Sequence, residues 1–230
     1  MVNKIKTLIL TNHFLQLLLI ADLFFMVMHV FHLTPFMKAA LPILSENAFS
    51  VSTDLGIGEG FQYVQELWII LALVTVAVQK RNWAYSGWVV LFVFLLLDDM
   101  LRIHESLGEL STNILARLIT IPDSFANLRL QDLGELAVAG ALGLIFLSTI
   151  SIPYFRGDQD TKKVFNALFL FLGIFVFFGV GLDFIDRLFN ARIIREPLKL
   201  IEDGGEMLVM SFIVWYTDAL AKMNNQSKNA

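Results

Sequence analysis

The stretch LLLDDMLRIHESLGE, residues 95–109, begins as pure hydrocarbon and ends with six ionisable side chains. Its apolar half is typical of a helix in lipid, where an isolated charge is costly. The charged half must therefore face protein or water at one end of a membrane-spanning helix. The six residues are Asp98, Asp99, Arg102, His104, Glu105 and Glu109.

The composition of the whole chain agrees with a membrane protein. Of its 230 residues, 57% are hydrophobic and 17% are charged, against about 25% charged in soluble domains. The mean hydropathy is +0.68. The net charge of −4 and the lack of recognition motifs argue against nucleic acid as a partner. The chain has no cysteine, which excludes disulfides, thiolate metal sites and a cysteine nucleophile.

Six apolar runs are long enough to cross a bilayer of about 30 Å. The prolines fall near the ends of these runs or between them, where helix breakers belong. No repeat or low-complexity linker divides the chain, so we predict an all-α, polytopic transmembrane helical bundle that forms one domain over residues 1–230. The predicted spans are about 8–33, 62–79, 84–104, 133–155, 164–189 and 199–221.

The orientation follows from lysine and arginine in short loops. Lys80 and Arg81 lie in one such loop, and Lys162 and Lys163 lie in another, which favours cytoplasmic N- and C-termini. We predict a bacterial-type inner membrane as the location. Membrane lipid is the expected surrounding, and a membrane-protein partner or a homo-oligomer stays open.

The acids concentrate at one membrane face once the spans are placed. The ends of spans 3 and 5 and the starts of spans 2, 4 and 6 all lie at that face, and His29 and His32 end span 1 there. We therefore expect several helices to direct acids into one shared pocket near the outer leaflet. These acids are Glu66, Asp98, Asp99, Glu105, Glu109, Asp132, Glu135, Asp183, Asp186, Glu202, Asp203 and Glu206.

Helical spacing favours the same grouping. Steps of four, three and four residues from Asp98 would place the charged side chains of the opening stretch on one stripe. The simplest interpretation is a structural ion network, in which Asp98–Arg102 and Asp183–Arg187 pair along their own helices. The segment 106–129 is predicted to contain a short amphipathic helix that lies over the pocket as a lid.

A divalent metal site is the first functional hypothesis, because carboxylates and imidazoles suit Zn, Mn or Fe. The zincin motif fails, since Gly108 stands where its second histidine belongs. With such a metal, the natural chemistry would be hydrolysis or oxidation of lipid, with catalytic residues unassigned. The predicted ligands are Asp98, His104, Glu105, Glu135, Asp183, Glu202 and Glu206, with Arg102 and Arg187 balancing charge.

A cation- or proton-coupled transporter or channel is the second hypothesis, because intramembrane acids and histidines mark such pathways. Asp22 lies in the middle of span 1, seven residues before His29, so the two share a helix face and form a candidate proton path. The third hypothesis is a non-catalytic subunit of a membrane complex, whose apolar and small-residue faces pack against partner helices.

Three short blocks of the sequence carry a resemblance to other membrane proteins. FQYVQE (residues 61–66), DDMLRIHESLGE (98–109) and EDGGE (202–206) are similar to recurrent blocks of uncharacterised bacterial multi-pass membrane proteins. The resemblance covers spans 2 to 6. It implies the spans and the grouping of these residues, and it implies no activity.

Overall fold

The computed structural model describes residues 12–53, 55–118, 130–189 and 191–229. This part of the chain is built from helices and contains no strand. Two short 3₁₀ turns, Pro42–Ser45 and Asn47–Phe49, lie in the connection between the first two long helices. The helices are α1 (His13–Leu33), α2 (Pro35–Ala40), α3 (Ile57–Lys80), α4 (Ser86–Leu101), α5 (Ile103–Leu118), α6 (Leu130–Arg156), α7 (Gln159–Val176), α8 (Asp183–Leu188) and α9 (Arg192–Asn229).

Five helical stretches are long and apolar enough to cross a membrane, which confirms the all-helical, membrane-type prediction at that level. The predicted sixth span, 199–221, lies inside α9, which carries Glu202, Asp203 and Glu206 near its start. Residues 8–11 of the predicted first span lie outside the described residues. The five stretches are His13–Leu33, Ile57–Lys80, Trp83–Leu101, Gln131–Arg156 and Gln159–Arg187.

The predicted span 84–104 is wrong at its end, because α4 stops at Leu101. Arg102 has a left-handed backbone with φ 53°, which ends a helix. Asp98 then accepts a hydrogen bond from the backbone N–H of His104 at 2.7 Å and so caps the start of α5. The predicted stripe of acids is therefore divided between two helices.

The predicted span 164–189 is also not a uniform helix. A π-helical segment, Phe177–Leu182, joins α7 to α8. The start of α7 is set by Asp158, whose carboxylate accepts the backbone N–H of Thr161 at 2.8 Å. Hydrogen bonds from the Thr161 hydroxyl and from its backbone N–H lower the pKa of this solvent-exposed carboxyl below its usual value.

Helix α9 is central to the packing. It lies against α1, α3, α7 and the π segment, while α3 also packs against α4, and α6 packs along α5. The apolar core fills the half of the bundle away from the acids, and Trp88, Phe165 and Met210 are fully buried in it. The acid-bearing ends of α3, α4 and α9 are thereby held side by side.

Candidate functional site

A polar cavity of about 130 Å³ lies where α3, α4 and α9 meet the segment after the 3₁₀ turns. Four of its lining residues are acids, and none of the described residues that line it is basic. A cavity of this size holds several water molecules or a hydrated ion. The lining residues are Val51, Ser52, Thr53, Glu59, Gln62, Asp99, Asp203, Glu206 and Met207.

Helical spacing explains how α3 reaches the cavity. Glu59, Gln62 and Glu66 lie three and four residues apart and so share one face of α3. The Glu59 carboxylate accepts the backbone N–H of Leu55, and the Gln62 amide donates to the Glu206 carboxylate on α9. These contacts tie the first turns of α3 to the loop before it and to α9.

Glu66 extends the acidic group into the protein. Its side chain is 0% exposed, and its carboxyl approaches that of Asp99 on α4 within hydrogen-bond distance. In the described part of the chain, no N–H or O–H donor reaches either Glu66 oxygen. Two carboxyls in contact repel each other unless they share a proton or a cation.

Two glycines allow α9 to approach the π segment closely. A Cβ atom added at Gly179 would collide with the Glu206 carboxylate, and one added at Gly205 would collide with the Phe178 ring. The backbone at Gly179 therefore sets the position of the Glu206 carboxylate. π-helical segments often occur at functional sites, and here the segment forms a support behind a cavity acid.

Histidines attach the loop wall of the cavity to α1. The His29 Nδ1 atom accepts the backbone N–H of Val51 at 3.3 Å and lies 3.2 Å from the Ser50 hydroxyl. His32 donates from Nδ1 to the backbone carbonyl of Leu44 at 2.8 Å. The sequence predicts a proton path through Asp22 and His29. In this structure His29 contacts Ser50 and Val51 and so holds the loop against α1.

A second group of acids surrounds Arg187. Its guanidinium contacts Asp132 at 2.5 Å and Glu135 at 2.9 Å on α6, and Asp183 at 2.6 Å on α8. One cation is thus shared among three carboxylates, which joins α6 to α8. The sequence predicts that Arg187 balances the charge of nearby acids, and its guanidinium lies among three carboxylates.

Asp186 and Arg195 form a third ionic contact, between α8 and the start of α9. Asp186 is buried, and its Oδ2 atom lies 3.0 Å from Nη2 of Arg195. Hydrogen bonding to this carboxylate raises the pKa of Arg195. The pair anchors the beginning of the central helix.

The predicted metal ligands are distributed over these groups. Glu206 lies at the cavity, Glu135 and Asp183 contact Arg187, and the His104 Nδ1 atom lies 3.1 Å from Oδ2 of Asp98. No group of three or more His, Asp or Glu within the described residues is arranged to hold a metal ion. Glu202 is also on α9, four residues before Glu206. Arg102 is exposed at the break between α4 and α5. The side chain of Glu105 is outside the described residues, so the metal site stays a prediction.

The predicted lid, residues 106–129, is described only as far as residue 118. Residues 103–118 form α5, as an amphipathic helix, but α5 packs along α6, and none of its described side chains lines the cavity. Residues 119–129 of the segment lie outside the described residues. Of the four acids that line the cavity, Glu206 is a predicted metal ligand. Asp99 and Asp203 belong to the acids predicted at this membrane face, but neither they nor Glu59 are among the predicted ligands.

The match to a family model covers residues 14–220, nearly all of the described helices. The chain belongs to the DUF8692 family. The family is described as a domain of unknown function, so membership carries no activity. No curated protein and no solved structure matches the chain.

Replacing Gly179 with alanine should displace the Glu206 carboxylate, because the new methyl group would occupy its place. We expect a loss of about 1–3 kcal/mol in the free energy of unfolding. Gly173 is the matched control, since a Cβ there meets nothing within 4 Å, and Gly173→Ala should be neutral or stabilising by up to about 1 kcal/mol. Equal effects at both positions would contradict the proposed contact.

Replacing Arg187 with glutamine should leave three carboxylates without their shared cation. We expect a loss of about 3–5 kcal/mol, as for other buried ion pairs that lose one partner. The exposed Lys163–Asp160 pair is the control, and Lys163→Gln should cost less than about 1 kcal/mol. Adding Asp132→Asn to Arg187→Gln should restore part of the stability, and a failure to do so would argue against mutual neutralisation.

Proposed function

We propose that the protein is a six-span membrane protein that takes up cations, including protons, into its acidic cavity, as a cation- or proton-coupled transporter does. The observation that carries this proposal is the cavity lined by Glu59, Asp99, Asp203 and Glu206 without a basic lining residue among those described. Carboxylates that share so small a volume raise one another's proton affinity or attract a cation. A cation or proton is therefore the ligand that fits the cavity.

The contact between Glu66 and Asp99 supports the same function. Glu66 is buried beyond the cavity wall, while Asp99 lines it, so the pair connects the cavity to the protein interior. A proton shared by the two carboxyls would remove their repulsion. The Glu66–Asp99 pair is therefore the candidate for the first proton-binding site behind the cavity.

The distribution of arginines also favours cation uptake. Arg187 and Arg195 are engaged with Asp132, Asp183 and Asp186. These pairs neutralise acids on α6 and α8. Neither arginine lines the cavity, so protons or cations are the partners that would neutralise its acids.

A divalent-metal enzyme that acts on lipid is the alternative from the sequence. Of its predicted ligands, Asp98 caps α5, and Glu135 and Asp183 are occupied by Arg187. These contacts favour reversible cation binding at the cavity over tight coordination by the predicted set. The exposed apolar faces of the helices suit lipid as well as a partner subunit, so they do not favour the third hypothesis.

In the membrane, α9 would be the sixth crossing helix, with both termini cytoplasmic and the cavity towards the outer leaflet of a bacterial-type cell membrane. The charged start of α9 faces α3 and the π segment, as the contacts of Glu206 show. Its charges therefore need not meet lipid. This packing supports the sixth crossing that the sequence predicts at 199–221, although α9 is not one of the five described helices that are apolar enough to cross a membrane.

Cation binding should appear as stabilisation of the purified protein. We expect at least one chloride salt of Na⁺, K⁺, Mg²⁺, Mn²⁺ or Zn²⁺ at constant ionic strength, or a lower pH, to raise Tm saturably. A ligand at about 100 times its Kd should raise Tm by roughly 5–10 °C. Asp99→Asn and Glu206→Gln should lose this response, whereas the exposed control Asp160→Asn should keep it.

A wild-type protein that responds to none of these cations and not to pH would refute the proposed function. Elemental analysis of the same samples tests the alternative. Stoichiometric Zn, Mn or Fe that survives purification and is lost in both His104→Ala and Glu206→Gln would favour the metal enzyme.

The topology can be tested by single-cysteine labelling, because the chain has no native cysteine. Ser45→Cys should react with a membrane-impermeant maleimide in intact cells, since Ser45 is exposed in the predicted outer loop. Asp160→Cys and Met223→Cys should react only after permeabilisation. Labelling of Met223→Cys in intact cells would show that α9 does not cross.

A further inference from the structure

A second polar group lies apart from the cavity, at the contact of α1, α3 and α9. It consists of Asp22, Gln65 and Ser211, each of which is at most 2% exposed. We propose that Asp22 is a proton-binding site in the middle of the bundle, holding its proton between Ser211 and Gln65. This inference does not depend on the proposed function of the cavity.

The contacts of Asp22 come from neutral groups on two other helices. The Ser211 hydroxyl donates to Oδ2 of Asp22 at 2.6 Å, and the Gln65 amide lies 3.4 Å from Oδ1. The same Gln65 amide lies 2.8 Å from the Ser211 hydroxyl oxygen, so the three side chains close a ring. A carboxylate in such a place is costly to keep ionised.

Three titratable side chains on the same helices have other partners. His29 on α1 accepts from Val51, Glu66 on α3 faces Asp99, and Glu206 on α9 receives the Gln62 amide. No charged side chain forms an ion pair with Asp22 in the described structure. A proton is then the simplest source of neutrality for Asp22.

Gln65 provides an independent observation. Its Oε1 atom is buried and receives no hydrogen bond from any described group, which is costly for a polar atom. A half-turn of the amide would place Oε1 where Nε2 now lies, between Asp22 and Ser211. A protonated Asp22 could then donate its O–H to Oε1, which neutralises the carboxyl and gives the amide oxygen a donor, while the Nε2 donors would turn to the place that Oε1 now occupies.

The location of the site determines how the proton can leave. Beyond Asp22, on the side away from the cavity, the apolar residues Leu18, Ile69 and Ile213 belong to the packed core. Release of the proton on that side therefore requires α1 to separate from α3 and α9. Asp22 would thus link its protonation to the packing of α1, whereas the sequence-based prediction linked it to His29.

Infrared spectroscopy of the purified full-length protein tests the proposal directly. At neutral pH, the difference spectrum of wild type minus Asp22→Asn should contain the carbonyl band of a protonated carboxylic acid. Ser211→Ala should shift this band to higher frequency without removing it, because one hydrogen bond to the carboxyl is lost. Asp22 lies away from the cavity, whereas Glu66 contacts the cavity residue Asp99. The Asp22 band should therefore shift more slowly in D₂O than the band that Glu66→Gln removes.

Circular dichroism and monodispersity would show that each variant is folded, and Asn preserves the size of Asp22. If Asp22→Asn does not fold, the shift in the Ser211→Ala spectrum still tests the assignment. A folded Asp22→Asn variant with an unchanged acid band would overturn it. Saturable stabilisation of the wild type by Na⁺ that Asp22→Asn abolishes, with no Asp22 acid band even without Na⁺, would show a sodium site in place of a proton site.

Discussion

Carboxyl groups inside a helical bundle must be paired, hydrated or protonated, and this constraint organises the structure. Each of the three solutions occurs in a different place. Arg187 is shared by Asp132, Glu135 and Asp183. The acids on α3, α4 and α9 face a cavity, and Asp22 has only neutral hydrogen-bond partners. The cavity acids and Asp22 are the groups that leave room for chemistry, because the charge state of such carboxyls can change.

Helix α9 reaches the cavity and the Asp22 group, and its start is anchored to α8. Arg195 contacts Asp186, Glu206 lies at the cavity, and Ser211 contacts Asp22. With its charged start, α9 is not among the five described helices that are apolar enough to cross a membrane. The polar positions are covered by α1, α3 and the π segment, and close approach at Gly179 and Gly205 makes that cover tight.

The sequence predicted that the acids cluster at one face, but it did not predict which residue each acid contacts. Successive spans cross the membrane in opposite directions, so the acid-bearing ends of α3, α4 and α9 are predicted at one face. The positions of the apolar runs are enough for this prediction. The partners depend on contacts between helices. Asp98 and Glu206 both carry helical-spacing signals, yet Asp98 caps α5 while Glu206 faces a cavity. A left-handed Arg102 separates the two outcomes, and no residue pattern marks it.

The sequence by itself determined the helical class, the approximate spans and the clustering of acids, because lipid imposes apolar runs of a set length and confines charge to their ends. Only the tertiary structure decided which acids meet. The π segment, the break at Arg102 and the ring of Asp22, Gln65 and Ser211 each depend on side chains that are far apart in the chain. Packing between helices brings such side chains together, and helical periodicity within one segment carries no information about it.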